Sequence, residues 1–91
     1  MNSDEAKNIL RDISRFGDIL LTRHCKKRMQ QRNIFMDDIL NVLMWGSVEN
    51  IIHVEDDRWE CTVNGHDLEE DELTCIVNFF EETKALCITV Y

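Results

Sequence analysis

The hydrophobic period of this 91-residue chain changes once, from helical in the first half to alternating in the second. Ile9, Leu10, Ile13 and Phe16 recur at helical spacing, and so do Ile39, Leu40, Val42 and Leu43. Beyond Gly46, the residues Trp59, Cys61 and Val63 fall on every second position, and Leu73 to Phe80 is almost wholly apolar. Alternation sends side chains to opposite faces of a strand, whereas a spacing of three or four gathers them on one side of a helix. Helices that come first and strands that follow do not make repeated parallel βαβ units. The order predicts an α+β domain, with N-terminal helices on one face of an antiparallel sheet of about four strands.

End signals divide the chain further. Ser3 is expected to cap the first helix, with Asp4 and Glu5 complementing its dipole and Gly17 stopping it. Thr22 caps a second helix running to about Arg32, and Asn33 and Ile34 form the turn after it. Asp37 and Asp38 open a third helix that Gly46 ends. Strands follow at Val48 to Val54, Arg58 to Asn64, Leu73 to Phe80 and Ala85 to Tyr91. The third of these is apolar enough to predict burial on both faces.

The length suits one domain, 1–91, with a single small core. No apolar run approaches the roughly 18 residues of a membrane span. The start, Met1-Asn2-Ser3-Asp4-Glu5, lacks the basic and then apolar order of a secretory signal, so a cytoplasmic protein with no membrane association is expected. Cys25, Cys61, Cys75 and Cys87 form no C-x-x-C pair and read as small buried hydrophobes in a reducing compartment. Neither a metal nor a cofactor is expected. The acidic stretch His66 to Glu72 lacks the ligand alternation and glycine of an EF-hand loop and reads as a solvated hairpin. Trp45 and Trp59 read as core and boundary aromatics, and His53 as a surface residue.

Charge is distributed unevenly within the net −8. Residues 1 to 32 carry eight Lys or Arg against four Asp or Glu, and residues 33 to 91 carry two against fourteen. Proteins that bind nucleic acid over a broad face are usually basic throughout. This chain offers RNA or a ribosome one local patch, T-R-H-C-K-K-R-M-Q-Q-R. At about 100° per residue, His24, Arg28 and Arg32 run along one edge of that helix beside the narrow apolar stripe of Cys25 and Met29. Arg23, Lys26 and Lys27 lie outside that edge, Lys26 and Lys27 on the side turned to solvent, and are the candidate nucleic-acid contacts.

Ribonucleases that work without metal need a proton shuttle and fixed positive charge for the phosphate. His24 suits the first role and Arg28 and Arg32 the second, and Tyr91, alternating with Thr89 on the last strand, offers a hydroxyl. The competing reading is that these arginines only pair with the carboxylates of the second half.

The segments T-R-H-C-K-K-R-M-Q-Q-R-N-I and D-D-I-L-N-V-L-M-W-G, an acidic hairpin and a closing C-I-T-V-Y together resemble domain-of-unknown-function family 4258. The resemblance covers about Leu20 to Tyr91, leaving 1–19 as an extra N-terminal helix. That family is usually grouped with RelE/ParE-like bacterial toxins. It implies two helices on an antiparallel sheet, RelE-like in architecture, with an RNA-cleaving activity held silent by an antitoxin. His24, Arg28, Arg32 and Tyr91 match its pattern. Met36 stands where the family has a small residue capping the third helix, and the acidic balance departs from the basic character of RelE-like ribonucleases. The expectation is therefore a small toxin-family domain, a metal-independent ribonuclease. Its rivals are a non-enzymatic acidic module that binds a basic protein by imitating nucleic acid, and a degenerate, regulatory member of the family.

Overall fold

Asn2 starts the first helix, α1 (Ser3–Phe16): its side-chain oxygen accepts from the Glu5 backbone N–H at 2.8 Å. The cap thus falls one residue before Ser3, which becomes the first helical residue, because asparagine is as good a cap and reaches the same orphan donor. A computed structural model describes residues 1–91, and it continues with β1 (Asp18–Leu21), α2 (Arg23–Arg32), α3 (Met36–Trp45) and four further strands. These are β2 (Ser47–Glu55), β3 (Arg58–His66), β4 (Glu72–Phe80) and β5 (Lys84–Val90).

The domain is α+β, but its sheet has five strands rather than four and is mixed rather than antiparallel, in the order β1-β5-β4-β3-β2. β1 runs parallel to β5, with Asp18 opposite Lys84 and Leu21 opposite Cys87. Ile19, Leu20 and Leu21 are too few to show a period, and their partner strand lies at the far end of the chain. Local signals cannot reveal such a pairing.

α1 packs on α3 and β2, α3 on β3, and α2 on β5. The strands therefore alternate: Leu73, Cys75, Val77 and Phe79 of β4 are buried, while Thr74, Ile76, Asn78 and Phe80 are only half covered. The expected burial of β4 on both faces does not occur, because all three helices occupy one side. The opposite face stays open, and cross-strand register arranges it in rows. One row reads Leu20, Leu86, Asn78, Glu60 and Ile52, and a row at the other end reads Tyr91, Thr74, Asn64 and Ser47.

α3 departs from expectation at its start. Phe35, not Met36, is the cap residue, and Asp38 supplies the missing side-chain bond by accepting from the Phe35 N–H at 2.8 Å. The other oxygen of this buried carboxylate accepts from the Leu68 N–H at 2.9 Å, tying the helix start to the β3–β4 loop. Trp45 also differs: it is 64% exposed, with the Arg11 guanidinium 5.6 Å from its ring centre. His53 stacks on Trp59 with ring centres 4.5 Å apart, at the surface as expected.

The β4–β5 turn stores local strain. Glu81 and Glu82 both have φ 57, a left-handed conformation that costs a residue with a Cβ about 1 kcal/mol or more. Glu82→Gly is expected to stabilise the domain by about 1 kcal/mol, read as a shift in denaturant midpoint at constant slope. The exposed Lys84–Glu81 ion pair at 3.2 Å lies outside the substituted residue and is too solvated to alter that balance.

All four cysteines are buried and unpaired by disulfide. Burial pushes the Cys61 thiol up to about 12, and the neighbouring Glu60 charge adds to this. Cys25 is raised by its hydrogen bond with Cys87 and then by burial. At Cys87 a hydrogen bond from Cys25 pulls the other way, but the bond to Cys75 and burial outweigh it. Cys25, Cys61 and Cys87 hold their protons above the ordinary thiol pKa of about 8.5, so at these three positions the unfolded chain alone loses protons there. The resulting stability is complete below that pH and falls as pH rises, by about 1.4 kcal/mol per pH unit for each such thiol. Denaturant unfolding between pH 8 and 10 should show this loss, and Cys61→Ala should make it shallower.

Candidate functional site

Where β1 ends at Leu21, α2 takes over the outer edge of β5. Thr22 begins the exchange. Its N–H donates to the Cys87 carbonyl at 3.1 Å, its hydroxyl donates to the Ile88 carbonyl at 2.7 Å, and the same oxygen accepts from the Cys25 N–H at 3.0 Å. One side chain thus caps α2 and completes the strand edge. Cys25 and Met29 then bury the apolar stripe, as the helical projection requires.

His24 and Arg28 follow on the side that meets the end of β5. The His24 Nε2 lies 3.0 Å from the Thr89 hydroxyl. The Arg28 Nε donates to the Val90 carbonyl at 3.4 Å, a long bond that uses one of five guanidinium donors. Val90 turns that carbonyl outward because the next residue, Tyr91, pairs with Thr74 of β4 through two backbone bonds of 2.9 and 2.8 Å. Directly paired residues share a face, so Tyr91 stands with Thr74 on the open side of the sheet. It is 49% exposed. His24, Arg28 and Thr89 therefore meet at one corner, and Tyr91 follows it as the next residue after Val90, turned to the open face.

Arg32 does not join them. One turn further along α2, it lines a groove of about 320 Å³ with Phe35, Asp37, Asp38, Asp67 and Asp71 among others. Arg23, Lys26 and Lys27 are exposed, and Lys26 borders a second groove of about 550 Å³ with Leu21, Met29, Ile34, Phe35 and Met36. In a chain with eighteen carboxylates, no cation of α2 comes within 4.0 Å of one; the single ion pair is Lys84–Glu81. The arginines are thus not consumed by internal pairing. A guanidinium with a neutralising carboxylate would have to give it up to meet a phosphate, and Arg28 has none to give up.

The thiols do not contribute chemistry: all four are buried, and three hold their protons above the ordinary range. No group of three or more His, Cys, Asp or Glu side chains has a metal-binding arrangement. No helix is long and apolar enough to cross a membrane.

Thr89 is the participant that sequence reasoning passed over as a site residue. Its signal was the alternation that set it beside Tyr91, but nothing local indicated that His24 would reach it across 65 positions.

Comparison with known proteins adds a family. The model described as "Domain of unknown function (DUF4258)" matches residues 21–91, and the chain belongs to that family. The match begins inside β1, so α1 lies outside it. No curated protein and no solved structure matches the chain.

Proposed function

We propose that this DUF4258 member is a RelE-like, metal-independent ribonuclease whose phosphodiester site is the corner between α2 and the end of β5. The observation that carries the reading is the unpaired state of the α2 cations, with Arg28 held by one weak bond and its terminal nitrogens free. The corner has the groups for transphosphorylation. His24 is exposed, with Nε2 on Thr89 and no protein partner at Nδ1. When Nε2 donates to Thr89, Nδ1 is the free base that removes the 2′-hydroxyl proton. The 2′-oxygen then attacks phosphorus, Arg28 neutralises the non-bridging oxygens, and the Tyr91 hydroxyl protonates the departing 5′-oxygen. The products are a 2′,3′-cyclic phosphate and a 5′-hydroxyl.

Arg23, Lys26 and Lys27 extend the positive surface for the flanking backbone. An antitoxin-like partner belongs to the same reading, and the apolar groove beside Lys26 is the surface it would cover. The experiment is incubation with RNA, free and on ribosomes, with end-group analysis of the products. Cleavage leaving cyclic phosphate supports the reading, and intact RNA under both conditions overturns it.

A second reading rests on the groove of Asp37, Asp38, Asp67, Glu69 and Asp71. It makes the domain a non-enzymatic module that offers carboxylates to a basic protein. Salt-sensitive capture of such a protein, without RNA cleavage, favours it.

A further inference from the structure

Beyond the phosphate corner, the polar end of the open sheet face is unexplained by the chemistry above. It holds a hollow of about 320 Å³ lined by Ser47, Asn64, Gly65, His66, Glu72 and Thr74, with no apolar member. A fixed chain of hydrogen bonds leads from its lining out to Glu49 on the neighbouring strand: the Thr74 hydroxyl donates to Asn64 Oδ1 at 2.9 Å, and Asn64 Nδ2 donates to Glu49 Oε1 at 2.7 Å. These partners fix which way the Asn64 amide points. Thr74 is the backbone partner of Tyr91, and Asn64 the partner of Thr74, so the hollow begins one strand from the corner. Two strand spacings are about 10 Å. That is the reach of one nucleotide from its phosphate to the edge of its base.

The unused hydrogen-bonding groups have a definite sense. The second oxygen of Glu49 and both oxygens of Glu72 have no partner within the protein, and the second N–H of Asn64 Nδ2 is likewise free. The carboxylates supply acceptors and the Asn64 amide a donor beside them, while the Ser47 hydroxyl and the His66 ring also line the hollow. We propose that this hollow reads the base beside the scissile phosphate, and that it selects guanine. Guanine presents two adjacent N–H donors, which suit a carboxylate, next to the O6 acceptor, which suits the Asn64 amide. Adenine and cytosine each offer one donor group beside an acceptor, and uracil offers two acceptors around one donor. The inference rests on the RNA reading of the corner and adds the base preference to it.

The test is equilibrium binding, which needs no turnover. Trinucleotides UGU, UAU, UCU and UUU, each labelled with a fluorophore, are titrated into protein carrying His24→Ala so that none is cut. UGU should bind roughly ten- to a hundredfold more tightly than the others, the discrimination of one good bidentate contact. Glu49→Gln and Glu72→Gln alter exposed side chains and should leave the fold intact. One or both should abolish the preference, so that UGU and UUU bind the variant with equal affinity. Equal binding of all four overturns the base subsite and leaves the phosphate corner standing. Binding of none overturns both. Binding of an arginine-rich peptide in place of every trinucleotide also overturns both and favours the acidic module.

Discussion

His24→Ala is expected to lower RNA cleavage by roughly 10²- to 10⁴-fold, the contribution of a positioned proton-transfer group. The loss should fall on kcat, because the imidazole acts on a proton in flight and adds little to ground-state binding. His24 is exposed and its removal breaks one surface hydrogen bond, so stability should change by less than about 1 kcal/mol. Thr89→Val separates positioning from chemistry. It keeps the imidazole but removes the hydroxyl that holds Nε2, and should reduce kcat by a smaller factor while leaving KM unchanged. Arg28→Ala should act differently again, weakening binding and turnover together, since the guanidinium meets the phosphate before and during reaction. Arg28→Lys should recover little of that, because an ammonium lacks the forked donors.

Phe79→Ala is expected to destabilise the domain by about 3–5 kcal/mol, a large part of the 5–15 kcal/mol usual for a single domain. Phe79 is among the largest fully enclosed side chains and lies on the covered face of the central strand β4. The strand cannot collapse into the space its ring leaves without breaking its own pairing with β3 and β5. Phe80, one residue on, points to the open face under the Arg58 guanidinium, 4.9 Å from its ring centre. Phe80→Ala should therefore cost far less. Chemical denaturation of the two variants reads the contrast, and equal losses would contradict the one-sided burial of the sheet.

Helix ends were legible because capping chemistry is local. Thr22, Asn33 and Gly46 mark boundaries that the structure keeps, and Asn33 takes the left-handed conformation, with φ 57, that follows a helix. Strand alternation in Trp59, Cys61 and Val63 was equally local. β1 was hidden for the opposite reason: three apolar residues carry no period, and their partner is set by the last strand. Its absence from the sequence reading also concealed how α2 meets β5, since α2 occupies the edge that β1 vacates.

The helical projection put His24, Arg28 and Arg32 on one edge, and that much follows from spacing. Which of them shares a site depends on what lies opposite each turn. β5 lies opposite the first two, and the acidic groove lies opposite the third. Asn64 and Thr74 gave no warning, because polar residues on alternate strand positions look like any solvated face until register lines them up.

The most direct measurement is an NMR titration of the labelled protein with a dinucleotide whose 2′-oxygen is methylated, so that it binds without being cut. The Arg28 Nε–H, the His24 ring and the Thr89 and Tyr91 amides should shift together along one binding curve, while Arg32 and the amides around Asp37 and Asp67 stay still. Shifts confined to Arg23, Lys26 and Lys27, or no shifts at all, would contradict a phosphodiester site between α2 and β5.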